Sequence, residues 1–419
     1  MPTHPILLLL LCSFASCVSY ERQAADIEST AATVASRTGG TYSVDTAIDL
    51  SLRQNPRLRA LTASVRAADA NTIVAVTLRA EWRERMDAIE AVIDPIALLG
   101  LGPRGAAIGT AEAKLLEAVA ALAVQRWQTI AAVVEEFAVH AALCKLEVAN
   151  LQLDVDAFER AGLASPVAAQ QLRAAQARSH SETVELQRAF RNNLSRLREL
   201  LGLPGNAQLT LLPIDEHWLQ QPAGIAQELL RRPDLALATA RFEVADAEFK
   251  KAVMDQYPTI QIGPNISLMG DPLRAMAMIQ IPFGMHGLAE AARERREASR
   301  ADLETAFLRA SREAELSDQD LAAANAVAAA TSSGLEARIA VFAAARAALE
   351  VEVDAFAMLA NSASMVMGET MENRQAAIAQ ARAKVQRAVA YGGPRTPLQQ
   401  LPMEPLPMPT ERTPEERAQ

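Results

Sequence analysis

Three groups of residues have types and spacings that suggest chemistry. Gly100-Leu101-Gly102-Pro103-Arg104-Gly105 satisfies G-x-G-x-x-G, the spacing that lets backbone amides approach a pyrophosphate. That chemistry needs a preceding strand and a βαβ series. Asp94-Pro95 breaks the only candidate strand, so the segment reads as a loop between helices. The five histidines, His4, His140, His180, His217 and His286, show no ligand spacing, and no metal is expected. No nucleophile elbow, P-loop or paired-carboxylate motif appears, so neither an enzyme nor a cofactor is expected.

The third group surrounds Cys17. The apolar run Pro5–Leu11 is too short to span a bilayer and reads as the core of a signal peptide. It leads into Phe14-Ala15-Ser16-Cys17, small residues followed by a cysteine, as where a bacterial lipoprotein is cleaved and acylated. Residues 1–16 are then the signal, Cys17 carries lipid, and 17–43 form an extended linker. Phe14 stands where a smaller aliphatic is usual, and the segment before it has no Lys or Arg. An ordinary secretory signal with an incidental cysteine is the alternative. No acidic residue follows Cys17, which points to the outer membrane. Of the other cysteines, Cys12 lies in the signal and Cys144 is alone, so no disulfide framework is expected.

Stepping from these residues to the elements that carry them, the chain repeats itself. Asn55-Pro56-Arg57-Leu58 and Ala67-Ala68-Asp69-Ala70 return as Arg232-Pro233-Asp234-Leu235 and Val244-Ala245-Asp246-Ala247, an offset of 177 (233 − 56). Asp154-Val155-Asp156-Ala157-Phe158 returns as Glu352-Val353-Asp354-Ala355-Phe356, an offset of 198 (356 − 158). The second unit therefore holds 21 more residues (198 − 177) between these anchors. The repeats read as 44–205 and 223–393, joined by a connector at 206–222. A proline-rich tail, 394–419, is expected to be disordered.

The composition agrees with helices. The chain is 50% hydrophobic but only 4% aromatic, with much of the apolar content alanine. Its net charge of −9 argues against a nucleic-acid surface. Proline is absent from 106–165 and from 283–393, long enough for helices of 50 residues or more. Leu143, Leu146, Asn150, Leu153 and Ala157 alternate spacings of three and four; so do Leu335, Ile339, Phe342, Arg346, Leu349, Val353 and Phe356. Both read as coiled-coil stripes. Breaks are expected at Gly162–Pro166, with Gly162 as a left-handed cap, and at 358–363. The expected fold is mostly α: long coiled-coil helical hairpins in two tandem repeats, with one short β-hairpin.

That hairpin is expected at 258–283, where the period changes to two. Ile260, Ile262, Ile266 and Leu268 share one face; across the turn at Met269–Pro272, Ile279 and Ile281 do the same. Each strand is about ten residues, the length of a tilted transmembrane strand. The matching place in the first repeat, Glu81–Glu90, is charged at helical spacing, so the first hairpin is expected to be missing. The alternation also fits a half-buried hairpin on a soluble body.

Together these residues resemble the TolC-type outer-membrane factors. The similarity runs over roughly 44–393 and is strongest from Leu230-Arg231-Arg232-Pro233-Asp234-Leu235 to Gln256-Tyr257-Pro258-Thr259-Ile260. Phe158–Ser165 is similar to the family's periplasmic tip turn, and Leu200–Gly205 to a third shared stretch. The resemblance implies a homotrimer whose helices form a periplasmic α-barrel below a β-barrel in outer-membrane lipid. It implies passive export through a tripartite efflux system with a periplasmic adaptor and an inner-membrane pump. Gly162, Leu163 and Ser165, with Ala360 and Ser362, would dock the adaptor; Glu369 and Glu372 would narrow the pore. The alternative, favoured by the missing hairpin, is a non-conducting periplasmic lipoprotein acting as a scaffold.

Overall fold

A computed structural model describes residues 26–393, apart from 78–79, 86–87, 94–101, 147–153, 163, 216–217, 219–228, 258, 268–273, 281–285 and 350–354. Cys17, Leu163, Leu268, Ile281 and the tail at 394–419 lie outside the described residues.

The first repeat is built from α2 (Val44–Gln54), α3 (Pro56–Thr77), β2 (Ala80–Arg85), β3 (Ala88–Ile93), α4 (Gly102–Cys144), α5 (Val155–Arg160) and α6 (Pro166–Leu201). The second has α7 (Pro233–Met254), β5 (Thr259–Ser267), β6 (Arg274–Gln280), α8 (His286–Ala348) and α9 (Ala355–Ala390). Before them stand α1 (Ile27–Ala35) and β1 (Gly40–Tyr42); β4 (Leu209–Leu211) lies in the connector. The expected linker 17–43 thus contains a helix and a strand. Asp26 caps α1 by accepting from Glu28 and Ser29, and β1 runs parallel to β4 with Gly40 opposite Leu209.

Helix boundaries follow local chemistry. Ser43 and Thr46 form a reciprocal capping box at α2. Gly202 ends α6 at φ 65° and Gly392 follows α9 at φ 80°, left-handed turns that favour glycine. The 63 residues of α8 make a rod about 95 Å long.

Such rods need partners along their length. Three buried clusters supply them. Next to the sheet, Leu58 and Val65 of α3 meet Leu115 and Leu122 of α4. At the waist, Ile48, Ile130, Phe137, Leu197, Leu201, Trp218 and Val385 join α2, α4, α6 and α9. At the far end, Val155, Leu172, Phe356, Leu359 and Val366 join α5, α6 and α9.

The expectation of a missing first hairpin is wrong. β2 pairs antiparallel with β3, Arg83 opposite Glu90. The sheet has four strands in the order β2-β3-β5-β6, with Ile89 opposite Ile266 and Ile260 opposite Ile279. The partner that holds β3 is β5, far along the chain, so a local window of sequence carries no trace of it. The offset arithmetic also misled. Ion pairs Arg232–Glu313 and Arg296–Asp246 set α7 on α8. The stretch between α7 and α8 is seven residues longer than that between α3 and α4 (31 − 24), and α8 is 20 residues longer than α4 (63 − 43). The step from the end of α8 to Phe356 is six residues shorter than that from the end of α4 to Phe158 (14 − 8), which brings the excess back to 21.

The two long stripes are also interrupted. α4 stops at Cys144 and α5 starts afresh at Val155, where the Asp154 carboxylate accepts from the Ala157 amide. Leu143 is buried, while Asn150 and Leu153 lie outside the described residues. In the second stripe Leu335, Phe342 and Leu349 pack on the far-end cluster, but Ile339 is 45% exposed.

Candidate functional site

The far end of the rods holds the expected tip. Arg160 ends α5, and Gly162 adopts φ 69° where a side chain would be strained. Ser165 caps α6 through its hydroxyl, which accepts from the Ala168 amide, and Pro166 occupies the first turn. Arg173 of α6 donates to Asp156 and Glu159 of α5, fixing the turn. That contact holds the Asp156 carboxyl below its usual range. Gly162, Ser165 and Val167 are exposed, so the turn presents an accessible surface.

The second tip does not lie where expected. Ala360 and Ser362 are inside α9, at 0% and 4% exposure, and the break falls between Ala348 and Ala355. The run Met358–Ala363 contains no glycine or proline to stop a helix, and the Ser362 hydroxyl bonds back to the Leu359 carbonyl. Neither residue offers a docking surface.

Between tip and waist, α8 and α9 are joined by polar contacts. Gln380 donates to Asn325 at 2.9 Å, and Thr331 meets Asn373 at 3.4 Å. Glu369 lies over Gly334, so close that a Cβ there would stand 2.5 Å from its Oε1. Glu369 is half-buried, whereas Glu372 is exposed. The α6–α9 seam holds a buried pair, Arg374 and Glu182, at 3.0 Å.

At the waist, the residue before α7 bonds to the end of α9, and the joint carries a network that the sequence pattern did not reveal. Arg232, 3% exposed, donates to both Asp234 oxygens, to Glu313 and to the Ala390 carbonyl. Its guanidinium lies 5.5 Å from the ring centre of Trp127, whose indole nitrogen donates to the Gly393 carbonyl. Burial alone would depress the Arg232 pKa, but its bonds to Asp234 and Glu313 outweigh it and raise the value. Beside it, Tyr391 and Arg387 both donate to Asp318. The available signal was Trp127 itself, one of three tryptophans in a chain poor in aromatics. A cleft of about 610 Å³ opens here, lined by Trp127, Glu135, Asp234, Glu313 and Asp320 among others.

The strand positions Ile260, Ile262, Ile266 and Ile279 lie in β5 and β6, as expected. Among the described residues no helix is long and apolar enough to cross a membrane. No described cluster of His, Cys, Asp or Glu could hold a metal ion.

No family model matches the chain, and no curated relative matches it. Solved structures do. The outer-membrane channel OprN superposes with a TM-score of 0.73 at 18% identity, over 90% of this chain and 98% of that one. CusC, described as forming a transmembrane channel, gives 0.70 at 19% identity over 84% and 92%. The MtrE outer-membrane channel of Neisseria gonorrhoeae gives 0.68 at 16% over 84% and 89%. With nearly the whole length of each neighbour matched, this chain has the fold of the TolC-type outer-membrane channels.

Proposed function

We propose that the chain is a subunit of an outer-membrane duct through which solutes pass passively, in a tripartite efflux system. The carrying observation is the four-stranded antiparallel sheet drawn from both repeats and set on long helices. Its edge strands β2 and β6 have no partner among the described residues. An open edge in lipid is costly, so such a sheet in a membrane must close with others. Three copies supply twelve strands (3 × 4), above the roughly eight of the smallest closed barrels. The missing hairpin had favoured a scaffold that does not conduct; with the hairpin present, that reading loses its support.

In this reading Cys17 anchors the chain in the outer membrane, and the tip residues Gly162, Leu163 and Ser165 meet the periplasmic adaptor, linked in turn to an inner-membrane pump. Glu372, exposed on α9, is the better placed of the two acidic candidates to narrow a pore. Single-channel recording of purified protein in planar bilayers tests the proposal. Stepwise conductance is expected, and its absence from correctly assembled particles overturns it. Metabolic labelling with palmitate, present in the native chain and lost in Cys17→Ser, tests the anchor.

A further inference from the structure

Pairing across the four-stranded sheet sorts its positions onto two faces. Residues opposite one another share a face, and successive residues along a strand alternate between faces. Trp82, Ile89, Ile93, Ile262, Ile266 and Ile279 fall on one face, where Glu84, next to the end of β2, is the one charged strand position. On the other face Arg83 of β2, Glu90 of β3, Asn265 of β5 and Arg274 of β6 stand opposite one another, in a single row across all four strands. The next row sets Arg85 opposite Ala88, and Ala88 opposite Ser267. Both rows lie far from the helices, because β2 and β5 leave α3 and α7 at Ala80 and Thr259 and end at Arg85 and Ser267.

The charges in these rows do not cancel. Arg83 has Glu90 opposite it. Arg85 has Ala88 opposite and only the same Glu90 on its diagonal, about 7–8 Å away. Arg274 stands opposite Asn265, with Gly263 and Ser267 on its diagonals, all three uncharged. The two rows thus hold three arginines and one glutamate, a net charge of +2 (3 − 1). Glu81, opposite Val92 one row nearer the helices, is the other charged strand position on this face and leaves it at +1 (3 − 2). The chain as a whole carries −9, so this sign is not a reflection of composition. Asp87 and Asp271 fall outside the described residues, beyond the ends of the strands.

We propose that Arg83, Arg85 and Arg274 form a basic belt at the outer end of the duct, which admits anionic solutes in preference to cationic ones. It rests on the reading of the chain as a duct, and adds the solute charge that its exit favours. A sheet closed in lipid turns its apolar face outward, so the face with the arginine row lines the lumen. Charge on the wall of a narrow passage acts on ions more strongly than the same charge in open water, because low-dielectric walls focus its field. Rings of arginine select anions in this way, as rings of carboxylates select cations. Three copies would bring nine arginines and three glutamates (3 × 3 and 3 × 1) to the two rows around one lumen.

The test is the reversal potential of the full chain in planar bilayers under a gradient of potassium chloride. At about 0.1 M salt chloride should permeate several-fold more readily than potassium, and the preference should shrink near 1 M, as the screening length falls from about 10 Å to about 3 Å. Arg85→Gln with Arg274→Gln keeps Arg83 opposite Glu90 and leaves the strand positions of this face at −1 (1 − 2). That variant should still conduct, with the preference lost or reversed, while Glu81→Gln should strengthen it. Arg274→Gln alone, which strips no acid of a partner, should weaken the preference part-way, and serves if the double variant does not assemble. A conducting native duct without anion preference at low salt overturns the belt and leaves the duct reading intact. A preference that survives the double substitution does the same, as does a native cation preference that vanishes in Asp87→Asn with Asp271→Asn. Assembled particles that never conduct overturn both.

Discussion

The rings of Phe158 and Phe356 meet with centroids 5.4 Å apart, tilted by 47°. They are the same residue of the two repeats, carried by Asp154–Phe158 and Glu352–Phe356. Phe356 is 1% exposed and Phe158 half-buried. Phe356→Ala should destabilise the far end by about 3–5 kcal/mol, the usual cost of emptying a buried phenylalanine site. Phe158→Ala should cost clearly less, because water already reaches its edge. Urea unfolding followed by circular dichroism gives both values; equal costs would mean that the pair is not anchored on Phe356.

Arg232 holds the waist through bonds to two elements beyond its own helix. Arg232→Ala should cost about 2–3 kcal/mol. This lies below the usual range for breaking a buried pair, because Asp234 and Glu313 remain 35% and 48% exposed and keep their water. Glu313→Gln should cost under about 1 kcal/mol. Thermal unfolding with tryptophan fluorescence as the probe separates the two, and a Glu313→Gln effect as large as that of Arg232→Ala would contradict this assignment.

Tyr391 gives the waist a dependence on alkaline pH. Burial, then its bond to Asp318, pushes its pKa up to about 12. The neutral phenol is therefore favoured in the folded chain. The stability it adds is complete below the ordinary tyrosine value of about 10 and is lost as pH rises from there towards 12. Tyrosinate absorbance should show one late-titrating group in the native protein, absent from Tyr391→Phe. Asp318 behaves in the opposite sense. The Tyr391 hydroxyl, then Arg387, lowers its pKa, so its contribution is present above the usual carboxylate range and fades as pH falls through the depressed value.

Two glycines should respond differently to alanine. A Cβ on Gly39 would lie 1.9 Å from the backbone oxygen of Gln208, which cannot move without breaking the β1–β4 ladder. Gly39→Ala should lower the melting temperature by about 1–3 °C, consistent with a loss of about 1–2 kcal/mol. A Cβ on Gly334 meets only the end of the Glu369 side chain, which can swing aside. There the gain in helix propensity, up to about 1 kcal/mol, should leave stability unchanged or raised. A melting series on the two variants decides the matter.

Much of the fold was legible because helices are local. Proline-free stretches announced the long helices, and Gly162 with Ser165-Pro166 placed the end of α5 and the start of α6. What failed was non-local or arithmetical. β2 and β3 are held by β5, and Glu81–Glu90 alone does not betray them. The count of 21 extra residues was right, but two separate insertions were read as one. The second tip was misplaced because Asn361-Ser362 resembles a helix end, while nothing there forces one. The Arg232 network was hidden for a further reason: its partners Trp127, Glu313 and Ala390 come from three different helices.

α8 has 63 residues against the 43 of α4, an excess of 20 (63 − 43), which adds about 30 Å of rod. Twenty residues are also about five and a half turns, so the added length ends facing nearly the opposite way. Reach and facing are thus coupled: a rod extended by this amount must recruit a different stripe of side chains to meet whatever lies beside its new end.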